Sequence, residues 1–254
     1  MKEGGEVVRF RITIAYDGTG YAGWQVQKKD VTVQQRVEEA LRKLFPGVTR
    51  VHGSSRTDTG VHAMGMVVHV DIAEAELKME ARKLLLAVNA FLPGDIRVSE
   101  VRRAKAGFHA RFDAKGKQYR YVIWNHPAMN PLLRNHAWHV PVPLDVDRMQ
   151  RAAKLFVGKK DFKSFATTRE YEMESTVRRV TGCKVYARGS ELMVVMEGEG
   201  FLYKMCRGIV GTLVRVGEGK LTQREIREIF RRRDRRVAGM NAPACGLCLW
   251  KVVY

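Results

Sequence analysis

Nine consecutive residues, Ser55-Arg56-Thr57-Asp58-Thr59-Gly60-Val61-His62-Ala63, place one carboxylate between an arginine and a glycine in a turn-rich stretch. The chain around them is strongly basic, with 45 Lys and Arg against 27 Asp and Glu over 254 residues and a formal net charge of +18. Such a surplus favours a polyanion over a small acidic metabolite, and nucleic acid is the leading partner. An acid at the face of a polyanion-binding protein weakens binding by like-charge repulsion, so its presence suggests chemical work. Asp58 is therefore the first catalytic candidate. The plainer reading is an aspartate that caps a turn.

Two further places carry side chains suited to chemistry. Phe108-His109-Ala110-Arg111-Phe112 through Tyr119-Arg120-Tyr121 interleaves rings with cations, a mix that lets rings stack on bases while cations meet phosphates. Alternation puts Tyr119 and Tyr121 on one side of a strand and Arg120 on the other. One tyrosine then serves the core while the other reaches a cleft, although spacing alone favours a buried core role for either. Arg207 stands among Leu202, Met205, Ile209, Val210 and Leu213 on a helical pattern, where an arginine requires a partner. A carboxylate such as Asp58 would serve, because a nearby guanidinium favours the charged form of an acid. Arg231, Arg232, Arg233, Arg235 and Arg236 form the densest charge run, read either as a solvated helix end or as phosphate contacts.

Several other chemistries fit poorly. Gly18, Gly20 and Gly23 have the spacing of a dinucleotide fingerprint, but the helix signal waits until Thr32, so no helix N-terminus opens within the glycines. A nicotinamide or flavin enzyme is rejected on that context. The glycines read instead as a tight loop passing close to RNA or to a neighbouring strand. Cys245 and Cys248 have zinc-ligand spacing, yet Cys248 falls in an apolar run and Cys183 and Cys206 in a strand and a helix. Free thiols and no metal are expected. His136 and His139 lack a companion ligand at the required spacing. No apolar run reaches the roughly 18 residues of a membrane span, and Met1 to Val8, with Glu3 and Glu6, has no apolar export core. A cytoplasmic protein without membrane contact is expected.

The elements that must position these residues follow from periodicity. Strands near 7–17, 48–54, 65–72 and 95–104 alternate with helices near 33–45 and 78–91, giving β-α-β-β-α-β. Thr32 with Gln35 forms the pattern of a capping box, and Val33, Val37, Ala40, Leu41 and Leu44 share one helix face before Pro46-Gly47. The second half repeats the order. It has a strand at 118–124, a helix near 145–157, strands near 177–187 and 191–198, a helix over about 202–216 and a closing strand at 247–253. An extra helix, capped by Thr222 with Glu225, precedes that strand. The expected fold class is α+β, with two ferredoxin-like subdomains, mainly antiparallel sheets and a central active-site cleft. The subdomains are expected at residues 1–105, carrying Asp58, and 106–254, carrying Tyr119 and Arg207.

Taken in order, these segments resemble the TruA family of tRNA pseudouridine synthases. The likeness rests on Tyr16-Asp17-Gly18-Thr19 through Gly23-Trp24-Gln25 and Gln27, Thr32-Val33-Gln34, Arg56 through Ala63, Phe108 through Phe112, and Lys117 through Tyr121. Asp161-Phe162 with Phe165, Met205 with Arg207, and Gly246-Leu247 complete it. The resemblance implies uridine-to-pseudouridine isomerisation at positions 38–40 in the anticodon arm of tRNA, by a homodimer without metal or organic cofactor. It further implies Asp58 as catalytic aspartate, Tyr119 as active-site tyrosine, Arg207 as the partner of that aspartate and Arg56 as holding the target nucleotide out of its stack. Leu247 is implied as a substrate contact. Ser55 replaces the family's usual glycine before Arg-Thr-Asp, and Cys206 its usual aliphatic residue. The alternative of another class is a catalytically silent RNA-binding protein on the same scaffold.

Overall fold

A computed structural model describes residues 6–167 and 175–254, so Glu3 lies outside the described residues. It is a mixed α/β protein with mostly antiparallel strand pairing, and it divides into two units. One unit runs to Lys115 and takes in Leu249–Tyr254; the other spans Gly116–Cys248.

The first unit contains β1 (Val7–Tyr16), α1 (Val33–Leu44), β2 (His52–Gly53), β3 (His62–Ala73), α2 (Ala81–Phe91) and β4 (Ile96–Arg103). Its strands run in the order β4-β1-β3, with β2 on β3. β1 is antiparallel to both neighbours. Period-two alternation buries Phe10, Ile12 and Ile14 of β1, and helical spacing buries Val33, Val37, Ala40 and Leu41 of α1 against that sheet core. Leu84 and Val88, one turn apart on α2, are also fully buried. Truncating one such leucine costs about 2–5 kcal/mol.

Thr32 caps α1 by accepting from the Gln35 N–H, while the Gln35 side chain donates to Glu39. Leu44, expected on the buried face, is only half-buried; Phe45, where the helix ends, takes the interior position. Buried Glu38 accepts from the Gln34 side chain, the Val51 N–H and Arg42. A buried carboxylate so satisfied fixes the chain as it enters β2.

The second unit contains β5 (Gly116–Asn125), β6 (Trp138–Val140), α3 (Val146–Ala153), β7 (Gly158–Asp161), β8 (Val177–Arg188), β9 (Glu191–Gly198), α4 (Met205–Gly217) and α5 (Gln223–Arg232). The order is β5-β9-β8-β7, antiparallel throughout, and β6 adds to β5 in parallel. Tyr121, Ile123, Val194 and Met196 are buried on the sheet; Met149, Phe156, Ile209, Val210 and Leu213 are buried on α3, the turn after it and α4. Phe156, Phe162, Phe165 and Phe230 form a second apolar cluster of mutually tilted rings. Thr222 and Glu225 form a complete reciprocal capping box on α5.

The last strand, β10 (Leu247–Val253), flanks β3 in the first unit through its later residues. There the Trp250 carbonyl passes so close to Gly65 that a Cβ would lie 2.6 Å from it.

Candidate active site

Asp58 stands in the loop between β2 and β3, and that loop is fastened to the glycine-rich loop after β1. The Trp24 N–H donates to the Thr57 carbonyl at 3.1 Å, and the Gly60 N–H to the Tyr21 carbonyl at 3.3 Å. The Val61 N–H donates back to the Asp58 carbonyl at 3.1 Å, closing a turn in which Gly60 has a positive φ of 76°. The Tyr16 and Thr57 hydroxyls are 2.8 Å apart and buried. A register shift between Ile14 and Tyr16 bends β1 just where the tyrosine must leave the ladder's regular course. His62 accepts the Gly18 N–H on Nδ1 at 3.0 Å.

The glycine spacing has its explanation in this loop. A Cβ on Gly18 would lie 2.1 Å from the Val61 carbonyl, and one on Gly23 would lie 2.4 Å from the Thr57 carbonyl. Gly23 also has a φ of +87°. These two glycines let one backbone run against another on either side of Asp58; Gly20 has open space around it. The first N–H groups of α1 are spent on loop carbonyls, Val33 on Gly23 and Gln34 on Trp24, so they are not aimed at a pyrophosphate. The result is a half-buried Asp58 on a backbone with little freedom, beside an exposed Arg56.

Tyr119 and Arg207 belong to the second unit. Both Tyr119 and Tyr121 are buried, at 7% and 0% exposure, so the sequence-based division into one core and one open tyrosine is narrower than expected. The Tyr119 ring meets Phe201 edge-on with centroids 5.2 Å apart, which sets its plane. Tyr121 donates its hydroxyl to the Pro243 carbonyl at 2.8 Å, and burial pushes its phenol pKa up.

Arg207 lies in the first turn of α4, half-buried, and its Nε donates to the Ala242 carbonyl at 2.7 Å. The Ala242 N–H returns a bond to the Arg207 carbonyl at 3.0 Å. This exchange orients one edge of the guanidinium and ties α4 to the segment that Tyr121 also holds. Two glycines make the approach possible. A Cβ on Gly208 would lie 2.2 Å from the Phe165 carbonyl, and one on Gly211 would lie 1.8 Å from the Met240 carbonyl. Lys204, just before α4, adopts a φ of +58°, so the helix starts at Met205, later than the expected 202. Leu247 is 5% exposed, and Gly246 before it would drive a Cβ into the Tyr121 ring.

Sequence reasoning missed Tyr16, Trp24 and the 240–243 segment as supports of these residues. Gly18 and Gly23 were the available signal for the first two; nothing local marks the third.

The remaining candidates have local roles. The four cysteines are free thiols, and full burial pushes Cys183 up to about 12. A His139 ring nitrogen sits 2.8 Å from the His126 carbonyl. In the arginine run, Arg231 and Arg232 pair with Glu228, Arg233 with Asp161, and Arg236 with Asp234; Arg235 donates to the Gly239 carbonyl. These cations are thus partly occupied in stitching the end of α5 to its surroundings. Among the described residues no helix is long and apolar enough to cross a membrane.

Comparison with known proteins gives one consistent result. A family described as tRNA pseudouridine synthase matches residues 12–113 and 152–254. A tRNA pseudouridine synthase A of Brevibacillus brevis is 47% identical over 246 residues, covering 97% of this chain and 99% of the relative. The protein of that name from Ruminiclostridium cellulolyticum is 44% identical over 247 residues, covering 97% and 99%. That of Methylacidiphilum infernorum is 40% identical over 248 residues, covering 98% and 96%. The matched segments contain Tyr16, Asp58, Arg207 and Leu247, whereas Tyr119 and Tyr121 fall between them. The chain belongs to the tRNA pseudouridine synthase family, and it is an isomerase that acts on tRNA.

Proposed function

We propose that the protein isomerises uridine to pseudouridine at positions 38–40 in the anticodon arm of tRNA, with Asp58 as nucleophile. The observation that carries this reading is the Asp58 loop itself, a half-buried acid held by backbone contacts on both sides in a chain of net charge +18. Repulsion of phosphate by that carboxylate is tolerable only if the acid acts on the nucleoside.

The isomerisation is redox neutral. The bond from ribose C1′ to uracil N1 breaks, the base turns over, and a bond from C1′ to C5 forms; C5 loses its proton and N1 gains one. An enzyme reaches those atoms only after the nucleotide leaves its stack, which costs a few kcal/mol and is easiest in a loop or weakly paired stem. Arg56, exposed beside Asp58, holds the nucleotide out. Ionised Asp58 attacks C1′ or C6, or assists loss of a ribose proton, and so carries the intermediate through base rotation. Arg207, with one edge fixed by Ala242, supplies the guanidinium that keeps Asp58 charged. Tyr119 packs on the uracil, with Leu247 beside it, and takes the C5 proton at the end.

On this reading the two units are ferredoxin-like subdomains. The β4-β1-β3 order with β2 on β3 supports that description for the first. The working enzyme is a cytoplasmic homodimer that needs neither metal nor organic cofactor, since the side chains supply both nucleophile and base. Release of tritium to water from tRNA labelled at uracil C5 tests the reading, run in chelator without added cofactor and followed by mapping of the modified sites. Release with pseudouridine at positions 38–40 is expected. Binding without release makes the protein an RNA binder, and release mapped elsewhere overturns the site assignment.

A further inference from the structure

On the first unit, seven residues along β3 from His62 and so about 23 Å from the end of the Asp58 loop, four rings form a contiguous cluster, stacked at one pair and edge-on or tilted at the others. His52 of β2 lies flat on His69 of β3, with centroids 4.8 Å apart and planes 11° apart. His109 meets His69 at 4.7 Å, and Phe112 packs on His109 at 4.2 Å. The Arg111 guanidinium lies 5.6 Å from the Phe112 centroid. His69, in the middle of the series, is 3% exposed; His52 at one end is exposed, and Phe112 at the other is 74% exposed.

The backbone at the Phe112 end is held by several hydrogen bonds. His69 Nδ1 accepts the Ala110 N–H at 3.1 Å, and His109 Nδ1 accepts the N–H groups of Arg111 and Phe112 at 3.1 and 3.3 Å. Two imidazole nitrogens thus take three consecutive backbone donors, Ala110, Arg111 and Phe112. The Asp113 carboxylate accepts the His109 N–H and the Asp113 N–H donates to the His109 carbonyl, closing the turn. Arg9 neutralises Asp71 and donates to the Phe108 carbonyl. Three histidines suggest a metal, but the geometry opposes one. Lone pairs lie in ring planes, so the nearly parallel His52 and His69 cannot converge on one ion, and the Nδ1 atoms of His69 and His109 are already used.

A phenylalanine held out in water by so many bonds, with a guanidinium against it, has the two parts of a single-strand contact: a π face for a base and a cation for phosphate. We propose that Phe112 and Arg111 form a second RNA contact apart from the Asp58 loop, where an unpaired base of the bound tRNA stacks on Phe112 while Arg111 meets an adjacent phosphate. The inference rests on the tRNA-modifying reading above and extends it. The net charge of +18 argues for RNA over an apolar protein partner.

The test compares the full-length parent with Phe112→Ala, Phe112→Trp and Arg111→Ala, using unmodified tRNA transcript at fixed salt. Loss of one stacked base raises Kd by about 5- to 100-fold in Phe112→Ala. Phe112→Trp binds within about threefold of the parent and shows added indole emission that tRNA quenches. Arg111→Ala reduces the salt slope of binding by about one. Two results overturn the proposal: binding by Phe112→Ala within twofold of the parent, or a changed sedimenting mass of that variant without RNA, which assigns the ring to contact between copies of the chain. A parent that binds tRNA but releases no tritium defeats the isomerase reading. A parent that releases it while Phe112→Ala binds normally defeats the stacking contact alone.

Discussion

The Tyr16 hydroxyl lies 2.8 Å from the Thr57 hydroxyl, in a buried hydrogen bond that joins the end of β1 to the residue before Asp58. Removing one partner strands the other and leaves the loop's direction to its backbone bonds alone. Tyr16→Phe should cost about 1 kcal/mol of stability. It should slow single-turnover tritium release by about tenfold, with tRNA affinity within twofold, because a misplaced nucleophile affects the reaction more than binding. Calorimetry and single-turnover kinetics at saturating enzyme check the two halves.

Gly23 and Gly20 belong to one loop but meet different surroundings. Alanine at Gly23 must accept a φ of +87° and an overlap with the Thr57 carbonyl, whereas alanine at Gly20 meets open space. Gly23→Ala should lose at least about 2 kcal/mol and lower Tm by about 4–10 °C, with activity falling as the Asp58 loop moves. Gly20→Ala should stay within about 0.5 kcal/mol of the parent. Thermal melts of the two variants side by side decide the point.

Arg207 is held through Nε, which only a guanidinium supplies. Arg207→Lys keeps the charge but cannot both donate to the Ala242 carbonyl and present a second edge. A fall in kcat of about 10- to 100-fold is expected, with circular dichroism unchanged. Tyr121→Phe frees the Pro243 carbonyl and should lower kcat by a smaller factor in the same direction, through the shared 242–243 segment.

His69 is held well below the ordinary histidine range, at about 4, chiefly by burial and then by His52, Arg9 and His109, with Asp71 opposing. Its folded pKa lies below its unfolded value, so the unfolded chain binds the extra proton first. The neutral ring's contribution is complete above about pH 6.5 and is lost as pH falls from there toward 4. Chemical denaturation across that window should show a decline of order 2 kcal/mol, reduced in His69→Gln.

What the sequence discloses depends on how local the cause is. α1 and α5 were readable because Thr32 and Thr222 cap them and their apolar residues recur at helical spacing. β6 and β7 were missed: Trp138–Val140 and Gly158–Asp161 are too short to alternate visibly, and each is a strand only because β5 or β8 lies beside it. β2, expected over 48–54, shrinks to His52–Gly53, where the Trp24 indole fills the space beside Gly53. Asp58 stood out as one acid in a basic chain, and the glycines around it were visible as a loop. The Arg207–Ala242 exchange joins residues 35 apart, and the His52–His69–His109 cluster joins three segments; neither leaves a local pattern.

Substitution of Asp58 by asparagine keeps the side chain's size and removes its charge, and so addresses the central claim most directly. The readout is tritium released from C5-labelled tRNA at saturating enzyme, with tRNA affinity measured in parallel. The account predicts release below about a thousandth of the parent rate and a Kd within about threefold. Release above a tenth of the parent rate by a tRNA-bound Asp58→Asn enzyme would contradict it.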